Sequence, residues 1–280
     1  MSLVRTKTRL SFLESMSITN LLVIVNILIF LVVKIVTSYD SNTISYIGLS
    51  PNLLFNDFFV WTLITSVFMH ANIFHLFVNM FSLFFVGRFL EMIVGRKRFF
   101  WLYIASGVFA GIFFALFSYI FGSSVFGVKV FASPNVLAMG ASGAIFGIAG
   151  VLSVITPRSK VSLMGGPILA IVIQAIINQF SVNSSVVNII DLAVTMYIFV
   201  CIFSMFSRSE AMRKLSIPIN MNFSILPLVA IVPLFIIGYF LPLPIGNMAH
   251  LGGYLAGAAY GVYLKNRYKN KVKAIGMYFK

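Results

Sequence analysis

The chain has 280 residues, of which 60% are hydrophobic and 9% are charged, and its mean hydropathy is +1.02. This composition excludes a soluble globular domain and indicates a polytopic membrane protein. The net charge of +14 could suggest a nucleic-acid partner, but the basic residues lie between apolar runs, as membrane topology requires, so we expect no nucleic-acid binding. The single cysteine, Cys201, lies in an apolar run and excludes a disulfide framework.

A chain needs about 20 apolar residues to cross roughly 30 Å of hydrocarbon, and eight runs of suitable composition predict an all-α fold. They cover residues 18–37, 72–94, 99–121, 139–156, 163–180, 186–206, 217–240 and 247–264. The run 217–240 contains Pro218, Pro227 and Pro233, which predict a kinked span and a candidate moving element. We expect the following segment, Leu241-Pro242-Leu243-Pro244, to form a short outer loop.

The positions of the basic residues predict the orientation of these spans. All but three of the 20 Lys and Arg residues precede the first run or follow the second, fourth, sixth and eighth. We therefore expect a protein of the cell membrane with a cytoplasmic segment at 1–17, a transmembrane domain at 18–264 and a basic cytoplasmic tail at 265–280. Arg5, Lys7 and Arg9 precede the first run, which has no small-residue cleavage pattern after it, so we expect an uncleaved first span. The aromatic loop 38–62 is predicted to lie at the outer surface, with an interfacial anchor of Phe55, Phe58, Phe59 and Trp61.

The fourth run contains one side chain that could do chemistry, Ser142. Its small residues place Gly143, Gly147 and Gly150 on one helical face, where another backbone could approach closely. Ser142 would lie near the helix N-terminus, where unpaired N–H groups favour developing negative charge. A serine between glycines in a membrane helix is also a common packing device, and a nucleophilic serine needs a base.

All three histidines, His70, His75 and His250, are expected near the outer ends of spans. His75 and Asn79 are four residues apart and share a helical face. The glycine face that follows His250 could pack against the glycines of the Ser142 helix, which would bring Ser142 and His250 to the same end of touching helices. One histidine at the end of a span is usually a satisfied interfacial residue, but three histidines with Ser142 and Asn79 at matching depth favour a site.

These residues belong to four linked patterns. The patterns are His70 with His75 and Asn79, Gly87-x-x-x-Glu91-x-x-x-Gly95, Gly140-Ala141-Ser142-Gly143, and Ala249-His250 followed by Gly253 and Gly257. Together they resemble the rhomboid family of intramembrane serine proteases, over residues 61–150 and 247–261. The resemblance implies six core spans. We expect no metal or organic cofactor, because three histidines without nearby Cys or a carboxylate cluster make a poor zinc site.

The resemblance also implies roles for the individual residues. Ser142 would attack the scissile carbonyl in a membrane segment of a single-span substrate protein, near the outer face of the lipid bilayer, and His250 would be its base. His75, Asn79 and the backbone N–H of Ser142 would stabilise the oxyanion. The residues expected to support this site are His70, Gly140, Gly143, Phe146, Gly253, Gly257 and Glu91. Glu91 is interpreted as a structural hydrogen-bonding residue that could pair with Arg88.

This chain departs from the family pattern at three points. Thr62 follows Trp61 where many members have arginine, and Phe146 stands where tyrosine is also common, although its ring could stack on His250. Three runs separate Ser142 from His250 where the family needs one crossing, so we predict eight spans, with a helical hairpin inserted at about 163–206. Asp191, within the insert, is interpreted as a buried, hydrogen-bonded acid.

Two other classes of function remain open at this point. A non-catalytic rhomboid-like protein could bind or escort membrane segments, and a small transporter could use the same glycine-packed helices. The insert favours a binding role, whereas the presence of both Ser142 and His250 favours catalysis. The sequence leaves the oligomeric state open.

Overall fold

The structure is a computed structural model that describes residues 16–180, 184–240 and 246–278. The predicted cytoplasmic segment therefore lies outside the described residues up to Ser15, as does the predicted loop Leu241-Pro242-Leu243-Pro244. The tip of the predicted hairpin, residues 181–183, also falls outside them.

Helices dominate the described chain, and the first half contains all the elements that precede Ser142. They are α1 (Ile18–Tyr39), α2 (Thr43–Ile47), α3 (Pro51–Asn56), α4 (Thr62–Phe68), α5 (Ile73–Ser82), a π-helical turn (Leu83–Gly87), α6 (Arg88–Val94), α7 (Arg96–Phe121) and α8 (Val125–Phe131). The π-helical turn joins α5 and α6 into one continuous second span.

The second half contains the Ser142 helix, a small sheet and the remaining helices. They are α9 (Ser142–Ile155), β1 (Lys160–Met164), α10 (Gly165–Phe180), α11 (Ser184–Ser204), α12 (Glu210–Lys214), β2 (Pro218–Asn222), α13 (Leu226–Phe240), α14 (Asn247–Arg267) and α15 (Lys269–Tyr278).

The predicted polytopic helical fold is confirmed. Among the described residues, four helices are long and apolar enough to cross a membrane, namely Ile18–Tyr39, Ile73–Val94, Arg96–Phe121 and Ser184–Ser204. Shorter apolar helices occupy Ser142–Ile155, Gly165–Ile177 and Leu226–Phe240. Each predicted run overlaps a helix, while the count of eight crossings stays a prediction.

The prediction of one kinked span over 217–240 is wrong in its first third. Pro218 begins strand β2, and the helix α13 starts only at Leu226. Ile217 has a φ of 47°, outside the helical range, and Pro227 is the second residue of α13, where a missing N–H costs nothing. Only Pro233 lies inside the helix.

Helices α7, α9 and α14 form the centre of the fold, and glycines let α9 and α14 touch. A Cβ atom added to Gly253 would lie 2.0 Å from the carbonyl oxygen of Gly143, and one added to Gly257 would lie 1.8 Å from that of Gly147. On its other side, Gly147 packs against Ser106 of α7, where an added Cβ would lie 2.3 Å from the Ser106 Cβ. These contacts place the start of α9 beside the start of α14.

The second span is tied to α1 by the buried Glu91. One carboxylate oxygen accepts a hydrogen bond from the Ile18 N–H (2.8 Å), and the other accepts from the Thr19 N–H (2.9 Å) and the Thr19 hydroxyl (2.6 Å). The N–H groups at a helix start lack partners within the helix, so Glu91 caps α1 from a distant part of the chain. In the described residues, the structure shows no ion pair between Glu91 and Arg88.

We expect Glu91→Ala to lower the free energy of unfolding by about 2 to 4 kcal/mol, because two backbone N–H groups and a hydroxyl lose their acceptor. Unfolding of the detergent-solubilised protein would measure this change. Thr19→Val removes only the hydroxyl bond and should cost about 1 kcal/mol. Equal stability of Glu91→Ala and the wild type would contradict the capping role.

The segment between α9 and α13 leaves the centre of the fold as a helical hairpin, which we call the α10–α11 hairpin. Strands β1 and β2 pair antiparallel at its base, with Lys160 opposite Asn222 and Met164 opposite Pro218. Helix α11 and the turn that follows it then run along the second span through ring contacts. These are Phe77 with Phe199 (centroids 4.8 Å apart), Phe81 with Phe206 (6.3 Å) and Phe85 with Phe206 (5.9 Å).

Candidate functional site

The backbone before α9 positions Ser142 as the first residue of that helix. Gly140 has a φ of 128°, which L side chains rarely adopt, and its N–H donates to the Ser66 carbonyl over 2.9 Å. Further back, the Leu49 and Ala138 backbones exchange two hydrogen bonds of 3.0 and 2.8 Å. The N–H of Ser142 has no acceptor within its own helix because it belongs to the first turn.

His250 lies in the first turn of α14, and its Nε2 is 2.9 Å from the Ser142 Oγ. Both residues are partly exposed. The Phe146 ring stacks on the His250 ring, with centroids 4.4 Å apart and planes inclined by 21°. The buried Nδ1 of His250 has no hydrogen-bond partner in the part of the chain that the structure describes. The packing of the two helices and one stacked ring therefore orient the imidazole.

His75 and Asn79 lie beside the loop that enters α9. An atom at the Cβ position of Gly140 would be 2.8 Å from His75 Cε1, 2.9 Å from His75 Nε2 and 3.9 Å from Asn79 Nδ2. Asn72 caps α5 by accepting the His75 N–H over 2.8 Å. One N–H of the Asn79 amide donates to the His75 carbonyl (2.9 Å), which leaves its second N–H for another acceptor.

His70 is buried behind this group, and its ring centroid is 5.2 Å from that of His75. It therefore lies against one site residue, His75. Glu91 is remote from the site, since it caps α1 at the opposite end of the second span. Sequence reasoning missed two residues that help to build the site, Ser66 and Ser106. Only their small size and their position in apolar helices could have indicated them.

The fold and this site define a helical, multi-pass membrane protein with a serine and a histidine hydrogen-bonded at the same end of two touching helices. The rhomboid domain family model matches residues 58–196, about half of the chain. The chain therefore belongs to the rhomboid family.

Individual relatives match over shorter segments. The chain is 34% identical over 135 residues to the rhomboid protease GluP of Bacillus subtilis, covering 48% of this chain and 24% of that protein. It is 40% identical over 93 residues to RHOMBOID-like protein 1 of Arabidopsis thaliana, covering 33% of this chain and 20% of that protein. It is also 39% identical over 70 residues to Inactive RHOMBOID-like protein 8 of the same plant, covering 25% and 20%.

The matched segments thus span between a fifth and a quarter of these three relatives. Their names include a protease and an inactive protein, so the family alone does not assign an activity to this chain. The family model ends at residue 196, before α14. His250 is therefore placed opposite Ser142 by the geometry of the fold.

Proposed function

We propose that this protein is an intramembrane serine endopeptidase that cleaves transmembrane segments of single-span membrane proteins near the outer face of the cell membrane. The observation that supports it is the 2.9 Å separation of Ser142 Oγ and His250 Nε2. A serine hydroxyl is a weak nucleophile until a base accepts its proton, and a neutral imidazole within hydrogen-bond reach is such a base.

In the proposed reaction, Ser142 Oγ forms a bond to the scissile carbonyl carbon while its proton moves to His250 Nε2. His250 then gives that proton to the leaving amine as the peptide C–N bond breaks, which leaves an acyl-enzyme. Water hydrolyses the acyl-enzyme with His250 again as base. The stack on Phe146 and the closeness of α9 and α14 hold the imidazole in place.

The oxyanion of the tetrahedral intermediate needs donors that point to it before the reaction starts. The Ser142 N–H, the free N–H of the Asn79 amide and the His75 ring are the groups of the right chemistry around Gly140. The positive end of the α9 dipole adds to this stabilisation. We also propose that the α10–α11 hairpin is an insertion and that both termini are cytoplasmic. Helix α13 is the proposed moving element.

Labelling with a serine-reactive fluorophosphonate probe tests the proposal. The folded wild-type protein should label, and Ser142→Ala should not. Ser153→Ala is the matched control, because Ser153 lies in the same helix and its hydroxyl donates to the Gly150 carbonyl over 2.7 Å. The Ser153→Ala protein should label like the wild type. A folded wild type that fails to label would contradict catalysis and favour a protein that binds membrane segments without cleaving them.

A further inference from the structure

The α10–α11 hairpin carries an acidic residue, Asp191, inside an apolar helix. Its carboxylate accepts a hydrogen bond of 2.6 Å from the Gln174 amide of α10, and the Thr195 hydroxyl donates to its carbonyl oxygen (2.7 Å). The prediction of a hydrogen-bonded acid is confirmed, but Asp191 is only half-buried. An acidic side chain among apolar residues of a membrane helix is costly, and such residues are usually paired and mark a functional site.

The ring contacts fix where Asp191 stands relative to the second span. Helix α11 and the turn after it run parallel to the second span, because Phe199 contacts Phe77 and the later Phe206 contacts Phe81 and Phe85. At 1.5 Å per residue, Asp191 is about 12 Å from Phe199 toward the end of the fold that holds Ser142, which we call the site end. The second span continues only about 6 Å past Phe77 in that direction. Asp191 therefore stands beyond the start of the span that carries His75.

Asp191 also shares a helical face with Thr195 and Phe199, since these residues are spaced by four. That face packs on the second span farther along the helix. In α11 the buried residues are Ile198, Cys201, Ile202 and Ser204, all in the half near β1 and β2. The hairpin is thus packed against the fold at the end near β1 and β2. The other half of the hairpin, which contains Gln174 and Asp191 and which we call the Asp191 half, carries a partly exposed acid at the site end.

Charge distinguishes the two ends of the molecule. The net charge is +14, yet exposed acids lie in the loops at the site end, at Asp40 and Asp57. Most basic residues surround the opposite end, beside β1, α12 and α15, while Lys34 and Lys129 lie at the site end. The site end is therefore far less basic than the opposite end, and of its three acids Asp191 is the one set among apolar helix residues beside the second span.

We propose that the Asp191 half of the α10–α11 hairpin is a docking surface for a substrate membrane segment that carries a Lys or Arg at its flank on the site end. This inference rests on the proposed function and adds a substrate class to it. Transmembrane segments usually have few basic residues at their outer flank. A carboxylate at this depth would therefore select a small subset of membrane proteins.

Two transmembrane peptides that differ only in Lys or Gln at that flank test the inference. Their dissociation constants are measured with the Ser142→Ala protein in nanodiscs, so that binding is read without cleavage. The Lys peptide should bind about three- to tenfold more tightly than the Gln peptide. Asp191→Asn should bring this ratio to about one and leave the affinity for the Gln peptide unchanged.

Asp57→Asn is the matched control, because it removes the same charge from the exposed loop after α3. It should retain the preference for Lys. The docking inference would be overturned if the Asp191→Asn protein still bound the Lys peptide more tightly than the Gln peptide. It would also be overturned if no variant bound the two peptides differently. A change in self-association of Asp191→Asn without a change in peptide affinity would also overturn it and assign the surface to a second copy of the chain. Cleavage of both peptides by the wild type would leave the proposed protease function standing in each of these cases.

Discussion

His250→Ala is expected to reduce cleavage of a transmembrane substrate by about a hundredfold to ten-thousandfold, the usual contribution of a positioned general base. The variant should also lose fluorophosphonate labelling, although Ser142 is intact, because Ser142 Oγ has its 2.9 Å partner in His250 Nε2. The helix contact that brings the two residues together is made by glycines and not by the imidazole. The fold should therefore survive the substitution.

Thermal unfolding of the His250→Ala protein in detergent tests whether the fold survives. Its unfolding midpoint should stay within a few degrees of the wild-type midpoint. Phe146→Leu is a second variant with a smaller expected effect. It removes the stacked ring and keeps the base, so labelling should slow without vanishing. Labelling of a folded His250→Ala protein at the wild-type rate would show that Ser142 is activated by another group, and the proposed proton path would be wrong.

Gly257→Ala is expected to disrupt the centre of the fold. An added Cβ, which is fixed rigidly to the α14 backbone, would lie 1.8 Å from the Gly147 carbonyl oxygen of the α9 backbone. No side-chain rearrangement can relieve that contact, so α9 and α14 must separate. Insertion of a group into a close-packed interior typically costs 1 to 3 kcal/mol. We expect a loss of about 3 kcal/mol or more, because here the backbones themselves must move.

Gly276→Ala supplies the comparison, since a Cβ at Gly276 in α15 meets no atom within 4 Å. That change should be neutral or slightly stabilising because alanine is the better helix former. Unfolding free energies of both variants, measured in the same detergent, give the difference directly. A Gly257→Ala protein as stable as Gly276→Ala would contradict the close contact of α9 and α14.

The approach of α9 to α14 could be predicted because glycine spacing is a local property of sequence. Gly143 and Gly147 recur at one face of a helix, as do Gly253 and Gly257, and two such faces can come closer than any other pair. Once these faces touch, Ser142 and His250 must lie at the same end. The closeness of Ser142 and His250 could therefore be predicted from spacing and residue type, whereas the parts that Ser66 and Ser106 play in the site could not.

Other features depend on contacts between distant segments and have no local signature. The partners of Glu91 on α1 are more than 70 residues away, so its neighbour Arg88 was the natural but incorrect candidate. The apolar stretch that contains Pro218 has the composition of a span, and only pairing with β1 makes its first part a strand. The contact between Phe77 and Phe199 could not be predicted from the sequence either, because a phenylalanine in a membrane helix faces lipid as readily as it packs on another ring.

The pairing of Lys160 with Asn222 has an evolutionary consequence. Paired strands lie about 5 Å apart, so the two ends of the segment between Lys160 and Asn222 are close together in space. A segment with such adjoining ends can be gained, lost or exchanged by recombination while the path from α9 to α13 stays the same. Relatives of this protein could therefore differ in the whole hairpin and still preserve the surroundings of Ser142 and His250.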